Sequence, residues 1–220
     1  MNDHSETNSN SNSNTNFSSS DDDIHYDPLK FVDTLSDPKH IVLFYEESKA
    51  ARVVEYRYLK NGLLKGQDGI HIMPNDVDIA SIQNEMADSG IDVESFIKNG
   101  FLHIRQVEDN RSNQNGRVKG FENIANEILA NLKSPPRLRT VTLHIPEINT
   151  EEKIASKLAA EHSYHSTFHS FGGSLLCAYP IEQIEPKERG KWIEGILQNH
   201  HSAIFVTKSG RGLAFHLEKP

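Results

Sequence analysis

The sequence predicts an α/β domain: a mostly parallel sheet with helices on both faces, closed by an antiparallel hairpin. Three observations lead there. Apolar runs of strand length alternate with segments of helical period. Several of those runs are apolar throughout, as strands covered on both sides must be. Only Lys208-Ser-Gly-Arg-Gly212 separates the last two runs, a link long enough for a hairpin and too short for a helical crossover.

The strand-length runs are Ile41–Tyr45, Gly69–Met73, Phe101–Gln106, Leu138–Ile145, Leu175–Tyr179, Ala203–Thr207 and Leu213–Leu217. A short helix over Asp27–Leu35 precedes them, with Pro28 at its first position and Leu29, Val32 and Leu35 on one face. Helical segments follow at Ala50–Leu64, Val77–Ser89, Val118–Leu132, Glu151 to about His165, and Lys187–Gln198. Each repeats apolar residues at helical spacing, as in Ile154 with Leu158, or Trp192 with Ile193, Ile196 and Leu197. The polar stretches Glu108–Gly116 and Lys133–Arg137 read as surface loops.

Residues 1–26 form a Ser/Asn-rich tract ending in three aspartates. It has almost no apolar surface to offset the entropy of ordering, so it is predicted to be a disordered acidic tail. Residues 27–220 are then one domain. The chain carries a net charge of −8, but Asp3, Glu6, Asp21, Asp22, Asp23 and Asp27 have no basic residue among them. The rest balances 25 acidic residues against 23 basic ones. A near-neutral body lacks the basic footprint of a nucleic-acid binder.

Cys177 is the only cysteine, which excludes an intramolecular disulfide and, on the cysteine count, a cysteine-based zinc site. Its apolar surroundings, Leu175-Leu-Cys-Ala178, suggest a buried structural thiol. No apolar run reaches the length of a membrane span or a signal peptide's core, so a cytoplasmic protein is expected.

In open parallel sheets ligands bind at the carboxyl ends of the strands. The residues gathered there are Tyr45, Glu46, Met73, Asn75 and Tyr179, a mix of apolar and polar groups suited to a small organic molecule. The usual phosphate chemistry is missing. The turn after the first strand is Glu46-Glu-Ser-Lys-Ala50, without a glycine to let backbone amides surround phosphate and with two carboxylates in the way. No G-x-G-x-x-G, nucleophile elbow or paired-carboxylate motif occurs, so no catalysis and no cofactor are expected. His162, His165 and His169 share a helix face, but read as a polar helix end and not as a metal site. His71, His103 and His144 lie inside three strands, where a satisfied core or edge histidine is the ordinary reading.

The chain resembles the MEDS family (methanogen/methylotroph, DcmR sensory domain) over about residues 36–207. The matching residues are His40-Ile-Val-Leu-Phe-Tyr45-Glu46, then Tyr58-Leu-Lys-Asn-Gly62-Leu63-Leu-Lys-Gly66-Gln67, Ile70–Met73, Gly90-Ile-Asp92-Val93 and Gly100-Phe-Leu102-His-Ile104. Toward the C-terminus, Cys177-Ala-Tyr179 and Ile196-Leu-Gln-Asn-His200 match a Cys-x-Tyr and a helix-ending His. The resemblance implies a RecA/KaiC-like core with a degenerate P-loop, serving as a sensory domain in signal transduction or transcriptional regulation. It implies a small organic ligand and a regulatory protein partner. A divergent RecA/KaiC-like NTPase and a protein-only scaffold are the alternatives.

Overall fold

The computed structural model describes residues 27–36, 38–107, 123, 127, 130, 138–143, 151–184 and 186–217. The expected acidic tail, the helix over Val118–Leu132 apart from three helical positions, both polar loops and His144 lie outside the described residues.

The elements, in order, are α1 (Pro28–Thr34), β1 (His40–Tyr45), α2 (Ser48–Leu64), β2 (Asp68–Pro74), α3 (Ile79–Asp88), α4 (Val93–Lys98), β3 (Leu102–Val107), β4 (Leu138–Leu143), α5 (Glu151–Phe171), β5 (Ser174–Pro180), a 3₁₀ turn (Ile181–Gln183), α6 (Pro186–Leu197), β6 (Ser202–Val206) and β7 (Gly212–His216). All seven expected strands form, in a single sheet of order β3-β2-β4-β5-β1-β6-β7. Every pairing is parallel except β6 with β7. The short link between those last two strands thus makes the antiparallel pair it was expected to make.

Local chemistry explains the helix starts. Asp27 accepts from the backbone N–H of Leu29 and Lys30, and Pro28 occupies the first turn, where its missing N–H costs nothing. Asp78 and Asp92 cap α3 and α4 in the same way. The short α4 was not anticipated, and α5 runs to Phe171, past the expected end near His165.

Alternate residues of the central strands face two separate cores. On one side Ile41, Leu43, Tyr45, Met73, Val141, Leu176 and Ile204 pack under α1, α2 and α3. On the other, Val42, Phe44, Leu175, Cys177, Tyr179 and Ala203 pack under α5 and α6. Trp192 of α6 anchors this second core, edge-on to Tyr179 with centroids 4.8 Å apart and edge-on to Phe44 at 5.9 Å. The two helices meet closely because Gly195 has no side chain; a Cβ there would lie 2.7 Å from Leu158. This seats α5 and the end of α6 over the amino-terminal part of β1.

Candidate functional site

Four side chains from distant parts of the chain converge under α5. His40 is the first residue of β1, Cys177 is central in β5, His200 follows α6, and Glu161 is midway along α5. The order β5-β1-β6 makes their strands neighbours. His40 and Cys177 point to the same face because both belong to the strand set facing α5. All four residues are buried.

The geometry is tight. His40 Nε2 lies 3.4 Å from Cys177 Sγ and 3.5 Å from Glu161 Oε2, and His200 Nε2 lies 3.6 Å from the same carboxylate oxygen. The four ligand-type atoms all fall within 4.8 Å of one another. The two imidazoles overlap, with centroids 3.9 Å apart. Outer partners orient the set. His200 Nδ1 is 2.7 Å from the Ile196 carbonyl, a distance at which it must donate, so Nε2 carries the lone pair. Tyr179 Oη donates to Glu161 Oε1. Thr142 faces Cys177 across β4 and β5.

Burial governs the protonation of these groups. It pushes the Glu161 carboxyl up to about 8. The Cys177 thiol is raised well above its ordinary range by burial and then by the Glu161 carboxylate beside it. His200 is pushed down to about 3 by burial, and His40 is held well below its usual value by burial and then by His200 and His165. On its own the cluster is therefore a set of neutral groups. Two of its ligand-type atoms, His200 Nε2 and Glu161 Oε2, are buried and make no hydrogen bond. They face each other.

The histidine array continues outward. The His165 ring lies 5.8 Å from that of His40 and 4.9 Å from that of His201, and both His165 and His201 are half-buried. His201 Nδ1 accepts the backbone N–H of His40 at 2.9 Å. Exposed His162 touches Asn199 Oδ1 at 3.2 Å. Of the three helix-face histidines picked out by spacing, His165 adjoins the cluster, exposed His162 reaches Asn199, and the side chain of His169 lies outside the described residues.

The residues expected at the strand ends divide between the two faces. Tyr45 and Met73 are buried in the core under α2 and α3. Tyr179 is buried on the opposite face and serves Glu161. Asn75 is exposed. Glu46, also exposed, accepts the backbone N–H of Lys208 at 2.9 Å and so ties the first turn to the hairpin. Beside Tyr45 lies a second polar group, in which Arg52 and Tyr56 both donate to Glu85. Burial raises Glu55 there to about 7 and lowers His71 to about 4.

Sequence reasoning alone left the four-residue cluster unassembled. His40, Cys177 and His200 had each been marked as family-like positions, but nothing linked them. The exclusion of cysteine-based zinc sites from a single cysteine also needs correction: it covers sites with several thiolates, not a mixed set such as this one.

Residues 39–200 match the model of the family described as MEDS, the methanogen/methylotroph, DcmR sensory domain. No curated protein matches the chain. Among solved structures, a KaiC-like protein from the hyperthermophilic archaeon Pyrococcus horikoshii OT3 is similar with a TM-score of 0.50 at 17% identity, over 76% of this chain and 72% of that one. An ATPase domain is similar with a TM-score of 0.52 at 7% identity, over 78% and 70%. At such identities the likeness establishes a shared fold, as the strand order suggests, and nothing about activity.

Proposed function

The chain belongs to the MEDS family, and from that premise we propose that it is a non-catalytic sensory domain. It takes a small ligand into its interior and passes its state to a regulatory partner by contact. The observation that carries this reading is the buried convergence of His40, Glu161, Cys177 and His200. A buried polar atom without a partner costs about 1–3 kcal/mol. Departures from local consistency of this kind are expected at functional sites. Glu161 is the link to output. It sits midway along α5, so a ligand that engages it alters how that helix lies on the sheet.

The alternative is nucleotide hydrolysis, favoured only by the fold of the similar ATPase domain. Against it stands Glu46, whose carboxylate occupies the first turn and is hydrogen-bonded to the hairpin. A thermal-shift screen over divalent metals, nucleotides and small organic compounds tests the reading. A metal or small organic compound is expected to raise the melting temperature while ATP–Mg²⁺ leaves it unchanged. Stabilisation by ATP–Mg²⁺ with measurable hydrolysis would overturn it. If an organic ligand emerges, loss of binding in Tyr45→Ala would place it at the strand ends under α2; loss in Tyr179→Ala would place it under α5.

A further inference from the structure

We propose that His40, Glu161, Cys177 and His200 form a mixed-ligand site for one divalent transition-metal cation, with Zn²⁺ the best match. The proposal deepens the sensory reading by naming the chemical class of what the domain's interior binds.

Geometry comes first. In a tetrahedral zinc site with bonds of about 2.0–2.3 Å, neighbouring ligand atoms stand about 3.3–3.6 Å apart. Three separations in the cluster, at 3.4, 3.5 and 3.6 Å, have that spacing, and all four atoms lie within 4.8 Å of one another. The three separations run between Nε2 of His40, Sγ of Cys177, Oε2 of Glu161 and Nε2 of His200, each an atom of a type that zinc takes. Oxygen-only ions such as Mg²⁺ and Ca²⁺ do not suit two imidazoles and a thiol.

Hydrogen bonding points the same way. His200 donates from Nδ1 to the Ile196 carbonyl, which directs the lone pair of Nε2 into the cluster. There it meets Glu161 Oε2, and neither atom has a hydrogen bond. Once the carboxyl gives up its proton, two buried lone pairs face each other, an arrangement that a cation between them satisfies. Tyr179 steadies the other carboxylate oxygen. Metal-binding histidines and carboxylates are characteristically held by such outer partners.

Charge closes the argument. A divalent cation held by one carboxylate, one thiolate and two neutral imidazoles forms a neutral unit, the arrangement a buried site tolerates best. Binding releases the carboxyl proton of Glu161 and the thiol proton of Cys177 to solvent; no electron moves. Affinity should therefore rise with pH.

The test uses the full chain, treated with chelator and then titrated with Zn²⁺ and with Co²⁺ as a spectroscopic probe. One equivalent of Co²⁺ should give intense visible bands of a four-coordinate ion and a near-ultraviolet thiolate-to-cobalt band. One equivalent of Zn²⁺ should displace it and raise the melting temperature. Cys177→Ser, nearly isosteric, should abolish the ultraviolet band. Glu161→Gln should weaken Co²⁺ by roughly 100-fold or more, and Tyr179→Phe by roughly 10–100-fold. Circular dichroism of each metal-free variant confirms folding, and His162→Ala should bind as the parent does. The proposal is overturned if neither ion binds stoichiometrically, or if Cys177→Ser and Glu161→Gln, both folded, keep the parent spectrum and affinity. Failure of the sensory reading looks different. In that case the metal binds as described, yet amide exchange outside the four ligands' immediate neighbours is the same with and without it, which marks a purely structural ion.

Discussion

The two faces of the sheet each bury a polar group, and they solve the same electrostatic problem differently. Under α2 and α3, the Glu85 carboxylate is met by Arg52 and by the Tyr56 hydroxyl. Its charge has a partner, and both members of the ion pair remain about one-third exposed. Under α5, Glu161 is fully enclosed, bonded to the Tyr179 phenol and beside two imidazoles and a thiol, with the Lys157 charge acting on it from one helical turn back. In the first, the chain's own groups satisfy the Glu85 carboxylate, while Glu55 Oε1 and His71 Nδ1 nearby make no hydrogen bond. In the second, His200 Nε2 and Glu161 Oε2 lie 3.6 Å apart and neither makes a hydrogen bond. The difference also separates this domain from what its fold suggests. In a nucleotide-binding α/β protein the chemistry lies at the carboxyl ends of the strands. Here the first turn at that end holds Glu46 bonded to the hairpin, and the buried cluster of His40, Glu161, Cys177 and His200 lies beneath α5.

Four outcomes would sharpen or break this contrast, beginning with the largest. Trp192→Ala removes the aromatic anchor of the face under α6 and should cost about 3–5 kcal/mol in denaturant unfolding. A loss below about 1 kcal/mol would mean that α6 does not hold that core together. Gly195→Ala comes next, at roughly 1–3 kcal/mol from overpacking against Leu158, again read by denaturant unfolding. An unchanged midpoint would show that α5 and α6 can separate freely.

The third outcome concerns pH and the face under α2. Glu55 has its carboxyl raised from 4.5 to about 7 by burial, so the folded state holds that proton where the unfolded state has lost it. Its contribution is present in full below about 4.5 and is lost as pH rises through 7. His71 runs the other way: lowered from 6.5 to about 4 by burial, it contributes above 6.5 and loses that contribution as pH falls toward 4. Replacing Glu55 with Gln should therefore flatten the decline in melting temperature between pH 5 and 8. An identical pH profile in parent and variant would show that Glu55 is not buried as described. The smallest effect is expected at the exposed turn. Glu46→Gln should change stability by no more than about 1 kcal/mol and should not create affinity for ATP–Mg²⁺ in a calorimetric titration.

Much of the architecture was legible in advance. Strands such as Ile41–Tyr45 and Leu175–Tyr179 announce themselves because burial on both faces requires unbroken apolar runs. The hairpin was legible from the five residues between its strands. Helix α4 was not, because its six residues are too few to show a period. The end of α5 was placed too early, near His165, because the apolar stripe of Ile154 and Leu158 fades there, while the helix runs on to Phe171, just before Gly172 and Gly173. The site was harder. His40, Cys177 and His200 are 137 and 160 positions from one another along the chain at the widest spans from His40, and only the strand order β5-β1-β6 brings them together. Glu161 gave no local signal, since a helical glutamate usually faces water. Arg139 escaped notice for a similar reason. It lies buried across the Tyr58 ring at 4.9 Å, bonded to Gln67 and the Leu35 carbonyl, with room only because position 62 is glycine. Tyr58, Gly62 and Gln67, all marked by the family resemblance, thus have a structural reason for their identity.

The contrast between the two faces is tested most directly by amide hydrogen exchange mapped with and without saturating Zn²⁺. Added protection is expected over Glu151–Phe171 and Ser174–Pro180, extending beyond Glu161 and Cys177, with Ser48–Leu64 and Ile79–Asp88 unchanged. Protection appearing instead over Ser48–Leu64, or nowhere, would contradict the assignment of the ligand site to the space beneath α5.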